Sequence, residues 1–249
     1  MAAKAKIVGI VPAAGFGLRL AGRSARGAAP PKQLLELDGV PVLFWTLRKL
    51  AACAALDRII VCVRPSDRNG VVSRLTQEKY AARVSLVDGG DSRQDSVANA
   101  LGHVPAGTDF VLVHDAVRPF VESVLVEKVI EAAARSGAAI LGIPATDTLK
   151  QVEPAGGDHS ARILETIPRE RIVLAQTPQV FRFELLRDAF KRAAEDGFRG
   201  SDEAALVERV GSAVTVVMGS ERNFKITRPG DLELARFLLA QERPVPTQG

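Results

Sequence analysis

Two cysteines and three histidines are all that this chain of 249 residues offers a soft metal. Cys53 and Cys62 lie in apolar segments, with no CxxC and no Cys/His cluster, which argues against a zinc site. They read as buried, reduced thiols, and the chain is long enough to build a sizeable core without disulfides. No stretch approaches the roughly 20 apolar residues that a membrane helix needs. The start, MAAKAKIVGIVPAAG, has the lysines and apolar run of a signal peptide. Gly9 and Pro12 interrupt that run, and it leads into a glycine loop, so it reads as a first strand of a cytoplasmic protein. There is no GxxxxGK[ST], no GxSxG and no HExxH, which removes the P-loop, the esterase elbow and the zinc protease. Internal repeats and low-complexity tracts are also missing. Charge of one sign is scarce: 33 Lys and Arg against 29 Asp and Glu leave +4. That excess suits an anionic ligand but is too diffuse for nucleic acid.

What is present is an alternation. Short aliphatic runs recur as KIVGIV, RIIVCV, VSLVDGG, FVLVHDA, AAILGIPA, AVTVVMG and NFKIT. Helical patterns separate several of them. PVLFWTLRKLAAC puts Leu43, Leu47 and Leu50 on one face; ESVLVEKVIEAAARSG groups Val126, Val129, Ile130 and Ala133 and stops at Gly137; RFELLRDAFKRAAEDG is amphipathic. Continuous apolar strands alternating with helices predict an α/β fold, a mostly parallel sheet covered on both faces. Ligands of such sheets sit at the carboxyl ends of strands. Residues 146–176 break the rhythm: TLKQV and RILETI flank an EPAGGDH turn and read as a protruding β-hairpin arm. Two strands alone are marginal in water, so the arm should pack on something, such as a second subunit. Residues 1–242 read as a single domain and 243–249 as a flexible tail.

The segments after the strands carry the chemistry. PAAGFGLRLAGRSARGAAPPKQ begins like a dinucleotide fingerprint, with Gly15 and Gly17 correctly spaced, but Leu20 stands in place of the third glycine. Its small residues let backbone N–H groups approach an anion, and Arg19, Arg23, Arg26 and Lys32 add cations. A nucleotide phosphate site and a solvated Gly/Arg loop both fit this composition. In VDGGDSRQDSV, Gly89 and Gly90 permit close backbone approach and Arg93 and Ser96 supply donors, while Asp95 or Ser96 could cap the next helix. In VLVHDAVRPF, Asp115 at a strand end suits Mg²⁺ together with phosphate, or an ion pair with Arg118. His114 reads as a packed core residue, and His103 and His159 as loop residues. Lys225, in the apolar strand NFKIT, must reach water or an anion.

Eight blocks in order resemble the 2-C-methyl-D-erythritol 4-phosphate cytidylyltransferases: PAAGFGLRL, PKQLLELDGVPVL, GGDSRQDSV, HDAVRPF, PATDTLKQV, AQTPQVF, SDEAALVE and NFKITRPGDLELA. They cover most of residues 7–240. The resemblance implies a Rossmann-like nucleotidyltransferase fold, a homodimer, and the use of CTP with Mg²⁺ or another divalent cation. It implies that Ala13, Ala14, Gly15 and Gly17, with Arg19 and Lys32, hold the CTP phosphates, and that Gly90 and Ser96 contact the cytidine. Asp115 would ligate the metal and Arg118 help bind the substrates. Thr148 and Arg169 on the arm would reach the sugar phosphate of the neighbouring subunit, and Ser201, Lys225 and Thr227 would complete the site. Arg19, Lys32, Arg169 and Lys225 are thus the expected catalytic set. Two features depart from the family pattern: AGRSARGAAP lengthens the loop, and Ser201 stands where threonine is usual. Rival readings are a ribitol-5-phosphate cytidylyltransferase, an NAD-dependent dehydrogenase and a non-catalytic nucleotide sensor. The Ala13-Ala14-Gly15 start favours methylerythritol phosphate over ribitol phosphate.

Overall fold

The structure, a computed structural model, describes residues 5–15, 31–153 and 160–242. Gly17, Arg19, Arg23, Arg26, His159 and the expected tail at 243–249 lie outside the described residues.

A seven-stranded sheet forms the centre of the described residues, in the order β11-β7-β10-β6-β1-β4-β5. Its strands are β1 (Ile7–Pro12), β4 (Arg58–Val63), β5 (Val84–Asp88), β6 (Phe110–Val113), β7 (Ala138–Pro144), β10 (Val173–Arg182) and β11 (Thr215–Met218). All pairings are parallel except those of β10, which runs antiparallel to both β6 and β7. The strand runs are apolar on both faces because both are covered. In β4, Ile59, Val61 and Val63 pack on one side with α1 (Val42–Ala52), α2 (Arg68–Leu75) and α4 (Ser123–Ser136). Ile60 and Cys62 pack on the other with α3 (Arg93–Leu101), α5 (Phe183–Glu195) and α6 (Glu203–Arg209). A third cluster, including Leu37, Val42, Val117, Phe120 and Ile226, seats α7 (Pro229–Glu242). The helix stops follow the sequence: Gly137 closes α4 at φ 86°, a backbone conformation that a side chain would strain.

The arm is β8 (Leu149–Val152) paired antiparallel with β9 (Ile163–Ile167), a separate small sheet. Another two-stranded ribbon, β2 (Glu36–Leu37) and β3 (Val40–Pro41), leads into α1.

Two expectations need correction. The segment NFKIT is not a strand: Ile226 N–H donates to the Val117 carbonyl in the loop after β6, which offers no extended edge for a ladder. Conversely, β10 is a ten-residue strand that the sequence concealed. Pro178 in its interior argues against a central strand, since proline cannot donate to a ladder. The sheet accommodates it where the register to β7 slips between Gln176 and Gln179. The first residues of β10, Val173 to Gln176, therefore belong to the main sheet rather than to the arm.

Candidate functional site

The carboxyl ends of β1, β5 and β6 surround a cavity of about 360 Å³, a volume typical of small-molecule sites. Its wall includes Pro12 at the end of β1, Ala14 and Gly15 after it, Gly90 to Arg93 and Ser96 after β5, and Asp115 to Val117 after β6. Lys32, Gln33 and Lys225 close it.

The β1 end is held from two sides. Ala13 N–H donates to the Cys62 carbonyl at 2.8 Å. The buried Gln33 amide donates to the carbonyls of Ala13 and Gly15, fixing the backbone where the glycine loop begins. Gly89 and Gly90 do allow close approach, but what approaches is protein. A Cβ on Gly89 would lie 2.1 Å from Ala14 Cβ, and one on Gly90 would lie 2.4 Å from Asp95 Cβ. Ser92, rather than Asp95 or Ser96, caps α3, in a reciprocal capping box with Asp95. Ser96 Oγ accepts from Gly90 N–H at 3.1 Å and donates to the Ser92 carbonyl, so it ties the β5 loop to the helix.

The electrostatic centre is Asp115. Its Oδ1 accepts from Arg93 Nε at 3.0 Å, and its Oδ2 from Lys225 Nζ at 2.9 Å and Arg118 Nε at 3.4 Å. Burial alone would raise the pKa of this carboxyl, but the charges of Arg93, Lys225 and Arg118 outweigh it and hold the group well below the usual carboxylate range. Both sequence readings of Asp115 thus have structural content, since it pairs with Arg118 and also lines the cavity. Arg93 Nη1 also donates to both oxygens of the buried Glu203, at 2.7 and 2.9 Å. Burial pushes the Glu203 carboxyl upward, against the lowering charge of Arg93.

A carboxylate has about four lone-pair positions. The three cations take three from Asp115, leaving one on Oδ1. That fits a divalent ion with one protein ligand and the rest of its shell from phosphate and water. No group of three or more His, Cys, Asp and Glu that could hold a metal stands among the described residues.

Of the expected site residues, Ala14, Gly15, Lys32, Gly90, Ser96, Asp115 and Lys225 come together at the cavity. Ala13 lies just beneath, buried. Arg118 is turned inward, its Nη1 donating to the Asn223 carbonyl at 2.7 Å. Ser201 is exposed, one residue before the Asp202 that caps α6. Thr227 donates its hydroxyl and its N–H to Asp231 at the start of α7. Thr148 and Arg169 stand at the exposed base of the arm, where Arg169 donates to the Thr146 carbonyl. His114 is fully buried between Thr177 and the Arg118 carbonyl, and burial lowers its pKa to about 4. Cys53 and Cys62 are free and buried, and burial pushes the Cys62 thiol up to about 12.

Sequence reasoning missed Gln33, Thr177, Glu203 and Asn223. Thr177 Oγ1 accepts from Asp115 N–H at 3.0 Å, and Asn223 Nδ2 donates to the Thr177 carbonyl at 2.8 Å. The signal was a polar QTPQ run inside an otherwise apolar region. Glu203 had none, because a glutamate in a helix's first turn ordinarily faces solvent and complements the dipole.

Comparison with known proteins adds an independent line. The family model described as "IspD: 2-C-methyl-D-erythritol 4-phosphate cytidylyltransferase" matches residues 7–241. A curated protein of that name from Acidobacterium capsulatum is 55% identical over 233 residues, covering 93% of this chain and 96% of the relative. Another from Solibacter usitatus is 47% identical over 238 residues, 95% of this chain and 97% of the relative. Among solved structures, a 2-C-methyl-D-erythritol 4-phosphate cytidylyltransferase from Thermus thermophilus is 35% identical, with a TM-score of 0.73 over 94% of this chain and 99% of that one. A "4-diphosphocytidyl-2C-methyl-D-erythritolsynthase" from Anaerococcus prevotii has a TM-score of 0.78 at 28% identity, over 96% of this chain and 100% of that one.

Proposed function

Because the chain belongs to the 2-C-methyl-D-erythritol 4-phosphate cytidylyltransferase family, we infer that it moves the cytidylyl group of CTP onto 2-C-methyl-D-erythritol 4-phosphate. Pyrophosphate leaves, and 4-diphosphocytidyl-2-C-methyl-D-erythritol forms. The enzyme is a nucleotidyltransferase, which ends the dehydrogenase reading. The observation that carries the chemistry is the joining of Gly15, Lys32, Asp115 and Lys225 in one cavity at the carboxyl rim of the sheet.

An oxygen of the acceptor phosphate attacks the α-phosphorus as the bond to the β-phosphate oxygen breaks. Nucleophile and electrophile are both anions, so alignment and charge compensation are the protein's main tasks. The side chains lining the cavity supply three cations, Lys32, Arg93 and Lys225, against the two carboxylates of Asp91 and Asp115. Behind them the charges of Arg118 and Glu203 offset one another. One net positive charge is too little for a triphosphate of about four negative charges. Arg19, from the long glycine loop, and a divalent cation on Asp115 would supply the remainder. Mg²⁺ bound there with the nucleotide would draw electron density from the phosphate oxygens. Lys32 would stabilise the leaving pyrophosphate, and Lys225 the charge that develops at phosphorus. Gly15, with Ala14 and Gly17 beside it, would present backbone donors to the phosphates, while Gly90 and Ser96 would face the cytidine.

The arm supports a homodimer in which each subunit completes its neighbour's site through Thr148 and Arg169. Val152, Ile163 and Leu164 on its strands are 46%, 57% and 51% exposed, which a lone subunit leaves in water. No helix among the described residues is long and apolar enough to cross a membrane. The deciding experiment is pyrophosphate release with CTP, Mg²⁺ and each of two acceptors, methylerythritol phosphate and ribitol 5-phosphate. Release with the first alone supports the reading; release with ribitol 5-phosphate alone replaces it.

A further inference from the structure

Glu203 is 1% exposed, an uncommon place for a carboxylate unless it is paired. Its place is fixed by the strand that sequence concealed. Gln179 on β10 donates its amide to Asp202 at 2.8 Å and accepts from Ala204 N–H at 3.2 Å, bolting the start of α6 to the sheet. Glu203, between them, meets the guanidinium of Arg93 on α3. Arg93 is therefore gripped from two sides, with Nη1 on Glu203 and Nε on Asp115. Its Nη2 has no partner among the described residues, and Arg93 lines the cavity.

We propose that Glu203 is a positioning residue of the nucleotide site: it holds Arg93 so that Nη2 is presented to an electronegative atom of the bound nucleoside triphosphate. It also divides the cations. Arg93, Arg118 and Lys225 all contact Asp115, and without a second carboxylate they would compete for one. With Glu203 taking Arg93 through both oxygens, Asp115 keeps a lone pair, and Lys225 stays at the cavity edge. A neutral glutamine at position 203 keeps the shape but loses half of this arrangement. Arg93 is then drawn toward Asp115 and away from the nucleotide.

The inference rests on the CTP reading above, and a double-mutant cycle tests it separately. The four proteins are the wild type, Glu203→Gln, Arg93→Gln and the double variant. CTP binding is measured by calorimetry with Mg²⁺ and no acceptor, and thermal melting reports the fold. We expect Glu203→Gln to weaken CTP roughly tenfold, the size of coupling usual between contacting residues. Glu203→Asp, which retains the charge with a shorter reach, should recover part of that loss. In the Arg93→Gln background, Glu203→Gln should cost nothing further, because its partner is gone. Unchanged CTP affinity in folded Glu203→Gln overturns the proposal, as does a further loss in the double variant. A purely structural glutamate would lower the melting temperature and leave the affinity of the folded protein unmoved. If Glu203→Gln does not fold, Glu203→Asp decides: a several-fold weaker affinity supports the proposal and an unchanged one overturns it. A wild type that fails to bind CTP refutes the underlying reading instead, whatever the variants do.

Discussion

Lys225, in the irregular segment before the last helix, places its ammonium 2.9 Å from the carboxylate of Asp115 at the end of β6. The contact joins the C-terminal part of the chain to the central sheet at the point where phosphate is expected. It also explains how a lysine tolerates apolar neighbours: its side chain is 31% exposed, and its charge is met. Replacing Lys225 by alanine should lower the rate of pyrophosphate release by about a hundredfold or more, the usual cost of a transition-state donor. Turnover within threefold of wild type would remove it from the chemistry.

Lys32 is another cation lining the cavity, and its segment follows the glycine-rich stretch rather than β6. Lys32→Ala should also lose about a hundredfold in turnover, with a melting temperature close to that of the wild type. With CTP varied through KM to saturation, a defect confined to KM would reassign Lys32 from the reaction to ground-state binding.

Gly89 packs against Ala14, and Gly89→Ala would push the loop after β1 away from the loop after β5. The expected cost is about 1–3 kcal/mol of stability, with a raised KM for CTP. Adding Ala14→Gly should restore much of both, since it removes the methyl that collides. Urea unfolding of the two variants and the wild type checks this.

His114 gives a pH prediction whose sign follows from burial. Its pKa falls from about 6.5 to about 4 in the folded protein, so the native state stays neutral where the unfolded chain takes up a proton. The stability it contributes is complete above pH 6.5 and is lost as pH falls toward 4. The loss should reach roughly 3 kcal/mol, on the order of the linkage expected for a shift of this size. Between pH 7 and pH 4 the wild type should lose that much more unfolding free energy than His114→Gln. Parallel curves would mean that the ring takes up its proton as readily in the folded protein as in the unfolded chain.

Leu164 on the arm is half exposed. If the arm joins two subunits as proposed, Leu164→Glu should lower the mass seen in light scattering from that of two chains to that of one and reduce turnover; an unchanged mass would remove the arm from any interface. Mixing Arg169→Ala with Arg19→Ala should restore part of the activity if the sites are shared. No recovery in verified heterodimers would place Arg169 outside the neighbouring site.

Much of this molecule is written locally. The strands around β1, the helices with one apolar face, the stop at Gly137 and the arm are readable because period, turn chemistry and capping act over a few residues. That Gly15, Lys32, Asp115 and Lys225 meet in one cavity is readable because strand ends in a parallel sheet converge and because the blocks resemble a known family. Only the tertiary structure decided the rest. Pro178 hides a central strand until neighbouring strands absorb its register slip. Glu203 is an ordinary first-turn acid until β10 seats it against Arg93. The burial and charge pairing of such a residue depend on segments remote in the chain, and no local pattern encodes which of them will meet.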